Sequence, residues 1–171
     1  MPSSHPLVQL ARNAIQHHLD SGKKLVPPEN IQSSFSKPTG AFVTLYQDGS
    51  LRGCIGSLKP QTQSLAEEVV RNAILAATKD PRYDPVSHSE IDGLTIRIEV
   101  VTPPEPVDDI SNLDPKVDGL IVRSGKKQGV LLPGIEGIET VDQQEKICRS
   151  KGGIKNNENV AYSRFRVEQH I

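Results

Sequence analysis

Tryptophan is absent from this chain, and phenylalanine and tyrosine number only three each. Its core must therefore be built mainly from valine, isoleucine, leucine and alanine. Cysteine is almost as scarce. Cys54 and Cys148 stand far apart, which excludes a disulfide framework and points to a reduced, cytoplasmic compartment. Long apolar runs are missing, so no segment is expected to cross a bilayer. The opening M-P-S-S-H-P-L-V-Q-L lacks a basic stretch followed by an apolar one, and no secretory signal is expected. An excess of one charge is missing too. The formal net charge is -1, so no global field draws the protein toward nucleic acid or membrane. Phosphate-binding and nucleophile-elbow motifs are absent. The histidines are scattered, and His17 and His18 diverge by about 100° on a helix. His88-Ser89-Glu90 is the only local pair with ligand chemistry. No metal and no cofactor are expected.

The length of 171 residues suits one domain, or two small lobes sharing a core. Its most informative stretch runs from Phe42 to Leu58, F-V-T-L-Y-Q-D-G-S-L-R-G-C-I-G-S-L. Asp48-Gly49 between two strand-like runs predicts a hairpin, because a two-residue type I′ turn needs φ > 0 at both central positions. A regular ladder from that turn sets Leu45 opposite Arg52, Val43 opposite Cys54 and Ala41 opposite Gly56. Alternation then puts Phe42, Thr44, Tyr46, Leu51, Gly53 and Ile55 toward the core. Arg52 and Cys54 share the other face, ringed by small residues.

Elsewhere the pattern predicts a helix from Pro6 to about Leu19, ended by Ser21-Gly22. Lys23 to Pro38 reads as a loop. Ser64-Leu65-Ala66-Glu67 is a capping box opening a helix to about Lys79. The wide apolar arc of that helix implies burial on more than one side. Leu94 to Thr102 alternates as a half-buried strand. Gly119–Arg123 and Gly129–Leu132 flank S-G-K-K-Q as a second hairpin with a longer loop. Thr140 caps a short helix that Gly152-Gly153 ends, and Val160 to Glu168 alternates as a last strand. The implied class is α+β, an antiparallel sheet built from two hairpins plus additional strands, packed by about three helices. Five acids lie between Glu105 and Asp118, and six bases between Lys146 and Arg166. Two solvated faces are the favoured reading; mutual pairing is the alternative.

L-R-G-C-I-G, Leu51 to Gly56, resembles the hallmark of the AMMECR domain family, which includes component A of the AmmeMemoRadiSam set. D-P-R-Y-D-P (Asp80–Pro85), E-V-V-T-P-P-E (Glu99–Glu105), D-G-L-I-V (Asp118–Val122), G-V-L-L-P (Gly129–Pro133) and K-G-G-I (Lys151–Ile154) are similar to further elements in the family's order. One departure is Gly134, where the family pattern has Gln. The resemblance covers roughly Leu7 to Val167. It implies a single AMMECR-type domain over 1–171 and an α+β fold. It also implies companion Memo-like and radical-S-adenosylmethionine proteins in a shared modification pathway.

The candidate site is Cys54, a nucleophile or redox thiol, with Arg52, Gly53, Gly56, Arg82 and Asp84 as substrate-binding candidates. The Arg52 guanidinium, brought to ~6 Å from the Cys54 sulfur, is expected to favour the thiolate by ~2.8 kcal/mol at an effective dielectric of about 20. Two arginines suit a small anionic ligand. Each residue also has a plainer use. Free cysteine is usually a small core residue, Gly53 can make room for a helix, Gly56 can permit a bulge, and Arg82 can complement a helix C-terminus. No histidine lies near the motif, although His88 can approach in space. Three readings follow: a Cys54-centred enzyme or enzyme component, a non-catalytic protein- or ligand-binding module, and a weak nucleic-acid binder using Tyr162, Arg164 and Arg166. Net charge and scarce aromatics give the last thin support.

Overall fold

The computed structural model describes residues 4–171 and divides the chain into two units. The first comprises the chain up to Val101 together with Glu168–Ile171; the second is Thr102–Val167. Each closes its own hydrophobic cluster. The class is α+β, with two four-stranded antiparallel sheets.

In the first unit, helix α1 (Pro6–Ser21) buries Leu7, Leu10, Ala11, Ala14 and Ile15. It stops at Gly22, whose φ of 71° lets its N–H reach back to the His18 carbonyl; such a left-handed cap favours glycine. A short helix α2 (Glu29–Ser34) follows Pro28, inside the stretch expected to be loop. Its six residues are too few to show a periodic apolar face. Strands β1 (Ala41–Gln47) and β2 (Ser50–Ser57) form the expected hairpin, with Asp48 and Gly49 both at positive φ. Helix α3 (Leu65–Thr78) buries nine side chains, Glu68 and Asn72 among them. Asn72 donates to the Ala41 carbonyl at 3.0 Å, and Glu68 accepts from Gln61 N–H and the Thr62 hydroxyl. The wide arc is thus satisfied by polar as well as apolar contacts. Half of the expected capping box forms: Ser64 accepts from Glu67 N–H, but Glu67 takes Gln63 N–H instead of the cap's own. A 3-10 turn at His88–Gly93 leads into β3 (Leu94–Val101). The sheet order is β2-β1-β3-β8, with β8 at Val167–His170.

In the second unit, β4 (Glu105–Val107), β5 (Gly119–Ser124), β6 (Lys127–Leu131) and β7 (Ala161–Phe165) lie in the order β4-β7-β5-β6. Helix α4 (Val141–Gly152) has its full capping box at Thr140 and a left-handed Gly153 cap. Three expectations are corrected. The second hairpin's loop is the two residues Gly125-Lys126, because Ser124 pairs with Lys127. The last strand is broken at Arg166 into β7 and β8, which join different sheets. The acidic and basic segments meet in part instead of forming two solvated faces. Glu105 is paired with Arg164 across β4 and β7 at 3.1 Å, and Asp118 with Arg166 at 3.2 Å. β4 escaped notice because three residues carrying a proline show no alternation.

Candidate functional site

The first hairpin is not a regular ladder. Gln47 pairs with Ser50 and Tyr46 with Leu51, but Leu45 then pairs with Gly53. Arg52 is the extra residue of a β-bulge. A one-residue slip exchanges the face that one strand presents relative to the other, so β1 turns the opposite of its expected face to the core, while Gly53 and Cys54 beyond the bulge keep their expected sides. Ala41, Val43 and Leu45 are wholly buried in the helix-covered core, with Gly53 beside them. Phe42, Thr44 and Tyr46 lie on the opposite face, and Cys54 pairs with Thr44, not with Val43.

Gly53 sits against α3, where an added Cβ would collide with the Ala76 carbonyl. Gly56 faces Phe42, and a Cβ there would come 2.5 Å from the ring. Both glycines therefore have a packing reason, and the bulge falls at Arg52 and not at Gly56. Cys54 is half-buried, with Sγ 3.2 Å from Thr44 Oγ1. Cross-strand side chains of a non-hydrogen-bonded antiparallel pair stand close enough for this contact. The Cys54 N–H points off the sheet edge and donates to Asp80 Oδ2 at 2.9 Å.

Asp80 follows α3 in the D-P-R-Y-D-P turn. It is buried and also takes Arg82 Nε at 3.0 Å and Nη2 at 2.7 Å. Arg82, with the N–H groups of its own backbone and of Cys54, holds the Asp80 carboxyl well below the usual carboxylate range. The same pairing raises the Arg82 guanidinium. The Arg82 side chain is 54% exposed, so this cation is open to solvent, and it shares Asp80 Oδ2 with the Cys54 N–H.

Arg52 is differently placed. Its Nε and Nη2 reach Glu90 at 2.9 and 3.3 Å, Nη1 reaches the Asp84 carbonyl at 2.8 Å, and Nη2 also approaches Pro85 O. The bulge aims the side chain at this turn. Arg52 and two donors from Ser87 pull the Glu90 carboxyl down to about 2. Asp84 thus contributes its backbone carbonyl to Arg52. His88 is engaged with Asp20 at 2.9 Å on the exposed rim.

The structure also brings in residues that the sequence pattern did not nominate. Thr44 pairs with Cys54 on one side and with Arg97 of β3 on the other. Glu99 lies two residues along β3, buried, with Oε1 3.2 Å from Arg97 Nε. Arg97 and Glu99 share one face of the alternating Leu94–Thr102 run, but nothing local in the sequence ties β3 to the hallmark strand.

With that hallmark placed around Cys54, the whole chain can be set beside known proteins. It matches the AMMECR1 family model over residues 8–170. The chain belongs to the AMMECR1 family. A protein of Thermotoga maritima is 46% identical over 173 residues, covering 99% of each chain. A Clostridium acetobutylicum protein is 37% identical over 96% of this chain, but the match spans only 36% of that protein. The crystal structure of an uncharacterized protein from Pyrococcus horikoshii is similar with a TM-score of 0.77 and 31% identity, covering 95% of this chain and 88% of that one. In this AMMECR1 member, the hallmark is a bulged edge strand. Arg52 ties it to the 88–93 turn, Gly53 seats it under α3, and Cys54 faces Thr44 with its backbone fixed by Asp80. No helix among the described residues is long and apolar enough to cross a membrane.

Proposed function

We propose that this AMMECR1 protein is a cytoplasmic enzyme, or enzyme component, that presents Cys54 to a small anionic substrate in a modification pathway. The observation that carries the reading is the setting of Cys54: a half-buried thiol on a pinned edge strand, hydrogen-bonded to a hydroxyl, its own N–H sharing the Asp80 carboxylate with the exposed Arg82 cation. A thiol in a partly exposed, electropositive setting is the arrangement in which cysteine reacts. Arg82 is the anion-binding candidate. The Arg52 guanidinium serves as a clamp on the turn that walls the site, since its donors are occupied by Glu90 and two carbonyls. Asp84 acts through that clamp, and Gly53 and Gly56 let the strand pack closely. Memo-like and radical-S-adenosylmethionine proteins are the partners this reading implies, by family resemblance.

The test is alkylation of the folded protein by iodoacetamide at neutral pH, with the modified residue located by peptide mass spectrometry. Cys148 is an internal reference: it is wholly buried, and burial pushes its thiol up to about 11. Cys54 is expected to be modified within minutes while Cys148 stays free. Modification of Cys54 only at denaturant concentrations that unfold the protein would reject the reading. A second reading, a binding module without chemistry, draws on the partner of Cys54 being the Thr44 hydroxyl, no general base.

A further inference from the structure

The hallmark strand holds one arm of the site; the other arm lies two strands away. Register places Cys54, Thr44 and Arg97 in one row across β2, β1 and β3 on the face opposite the helices. Neighbouring strands are ~4.8 Å apart, so the long Arg97 side chain can sweep the span between its own strand and the thiol. Its guanidinium stacks over the Tyr46 ring, 5.1 Å from the centroid, within the range of a cation–π contact. Glu99 Oε1 is 3.2 Å from Nε, yet that buried Nε makes no hydrogen bond among the described residues. The N–H is not aimed at the carboxylate. A buried guanidinium N–H without an acceptor is costly and rare in folded proteins. Here it belongs to a cation that remains 31% exposed. Arg97 is thus held from below by an aromatic ring and from one side by a carboxylate, with donor capacity to spare.

We propose that Arg97 receives the anionic group of the substrate, a carboxylate or phosphate, and so sets which part of the molecule lies over Cys54. This rests on the reading of Cys54 as an open, reactive thiol. Arg97 is a substrate-positioning residue, with Tyr46 and Glu99 fixing its orientation. A planar fork that recognises two oxygens at once suits such a group.

The experiment uses two alkylating probes of one chemistry, iodoacetate and iodoacetamide. In both, the Cys54 sulfur attacks the methylene carbon, an S–C bond forms, iodide leaves and the thiol proton goes to buffer. Only iodoacetate carries a carboxylate. The ratio of their rate constants at one pH cancels the fraction of ionised thiol and reads the preference for an anion. Arg97→Gln is expected to lower the iodoacetate-to-iodoacetamide ratio at least about threefold, the effect of one unit charge ~6 Å away in open water. Arg97→Lys should hold it, and Arg123→Gln, on an exposed strand residue of the other unit, should leave it unchanged. Glu99→Gln carries the test in the opposite direction should Arg97→Gln not fold, since removing the neutralising carboxylate should raise the ratio. An unchanged ratio in Arg97→Gln or Glu99→Gln, with Cys54 still labelled by both probes, would overturn the role of Arg97 alone. Labelling by neither probe in the folded wild type would overturn the Cys54 reading, and this inference with it.

Discussion

At the level of single residues, the electrostatics are concentrated where the hallmark strand meets the two turns after α3. Asp80 and Glu90 are each clamped by an arginine, and both carboxyls titrate below their ordinary range. Folding therefore favours their ionised forms. Their contribution is fully present above the unfolded carboxyl values near 4 and is lost as pH falls through the folded ones. The window for Glu90 runs from about pH 5 down to about 2. Glu90→Gln keeps an acceptor for Arg52 but removes the charge. We expect it to lower stability at pH 7 by about 1.5–3 kcal/mol, the scale of a hydrogen bond to a charged group. The difference should be roughly halved at pH 3 and approach zero only near pH 2. Urea midpoints of both proteins at pH 7 and pH 3 check this, and parallel losses at the two pH values would contradict it. The motif residues were readable in the sequence, and Gly53 makes room for a helix, the plainer of its two uses. Their partners were not. Glu90 and Thr44 lie 38 and 10 positions from their partners Arg52 and Cys54, and Arg97 lies 53 positions from Thr44, which it faces across the sheet; sequence spacing carries no signal over such separations unless the register is known.

Among the elements, the hairpin shows how one residue governs a site. The Asp48-Gly49 turn was legible because its chemistry is local. The bulge at Arg52 was not, since it forms where Gly53 is pressed on α3 and where Arg52 is drawn to the 88–93 turn, both tertiary causes. The start of α1 has a similar non-local element. His5 Nδ1 accepts from Leu7 N–H at 3.2 Å, and the ring stacks on His170 of β8 with centroids 3.7 Å apart. Burial, then the neighbouring His170, lowers the His5 imidazole, while Glu168 opposes them. A cap made by Nδ1 exists only while that atom is unprotonated. The folded state thus binds this proton less readily than the unfolded chain. The cap's contribution is whole above the unfolded value near 6.5 and is lost as pH falls below it. Replacing His5 by Asn supplies a side-chain oxygen that caps at any pH. His5→Asn should therefore flatten the fall in thermal midpoint between pH 7 and pH 5. His5→Ala should cost about 1 kcal/mol at pH 7 and flatten it likewise. A wild-type slope retained in both variants would show that His5 does not titrate with folding.

Across the whole molecule, the chain leaves the first unit at Val101 and returns to it at Glu168. The two ends of the intervening unit are tied to each other: Thr102 N–H donates to the Arg166 carbonyl and Arg166 N–H to the Thr102 hydroxyl, both at 2.8 Å. This explains why an alternating run from Val160 to Glu168 serves two sheets, a division that alternation cannot reveal. The α+β class was legible because hairpins and helix caps are local. A second unit with ends already joined and a cluster of its own can open without drawing the first apart. Gly129 offers a lesion confined to it. On β6 it lies against α4, where an added Cβ would collide with the Cys148 carbonyl. Gly129→Ala must push the helix off the sheet, at a cost of about 1–3 kcal/mol for an overpacked contact. Amide hydrogen exchange followed by mass spectrometry should then show faster exchange in β5, β6 and α4 of the variant. Peptides from α1, β1 and α3 should keep wild-type protection. Equal loss of protection in both sets would mean that the two clusters unfold as one cooperative body, and lesions in the second unit would then reach Cys54 through global stability alone.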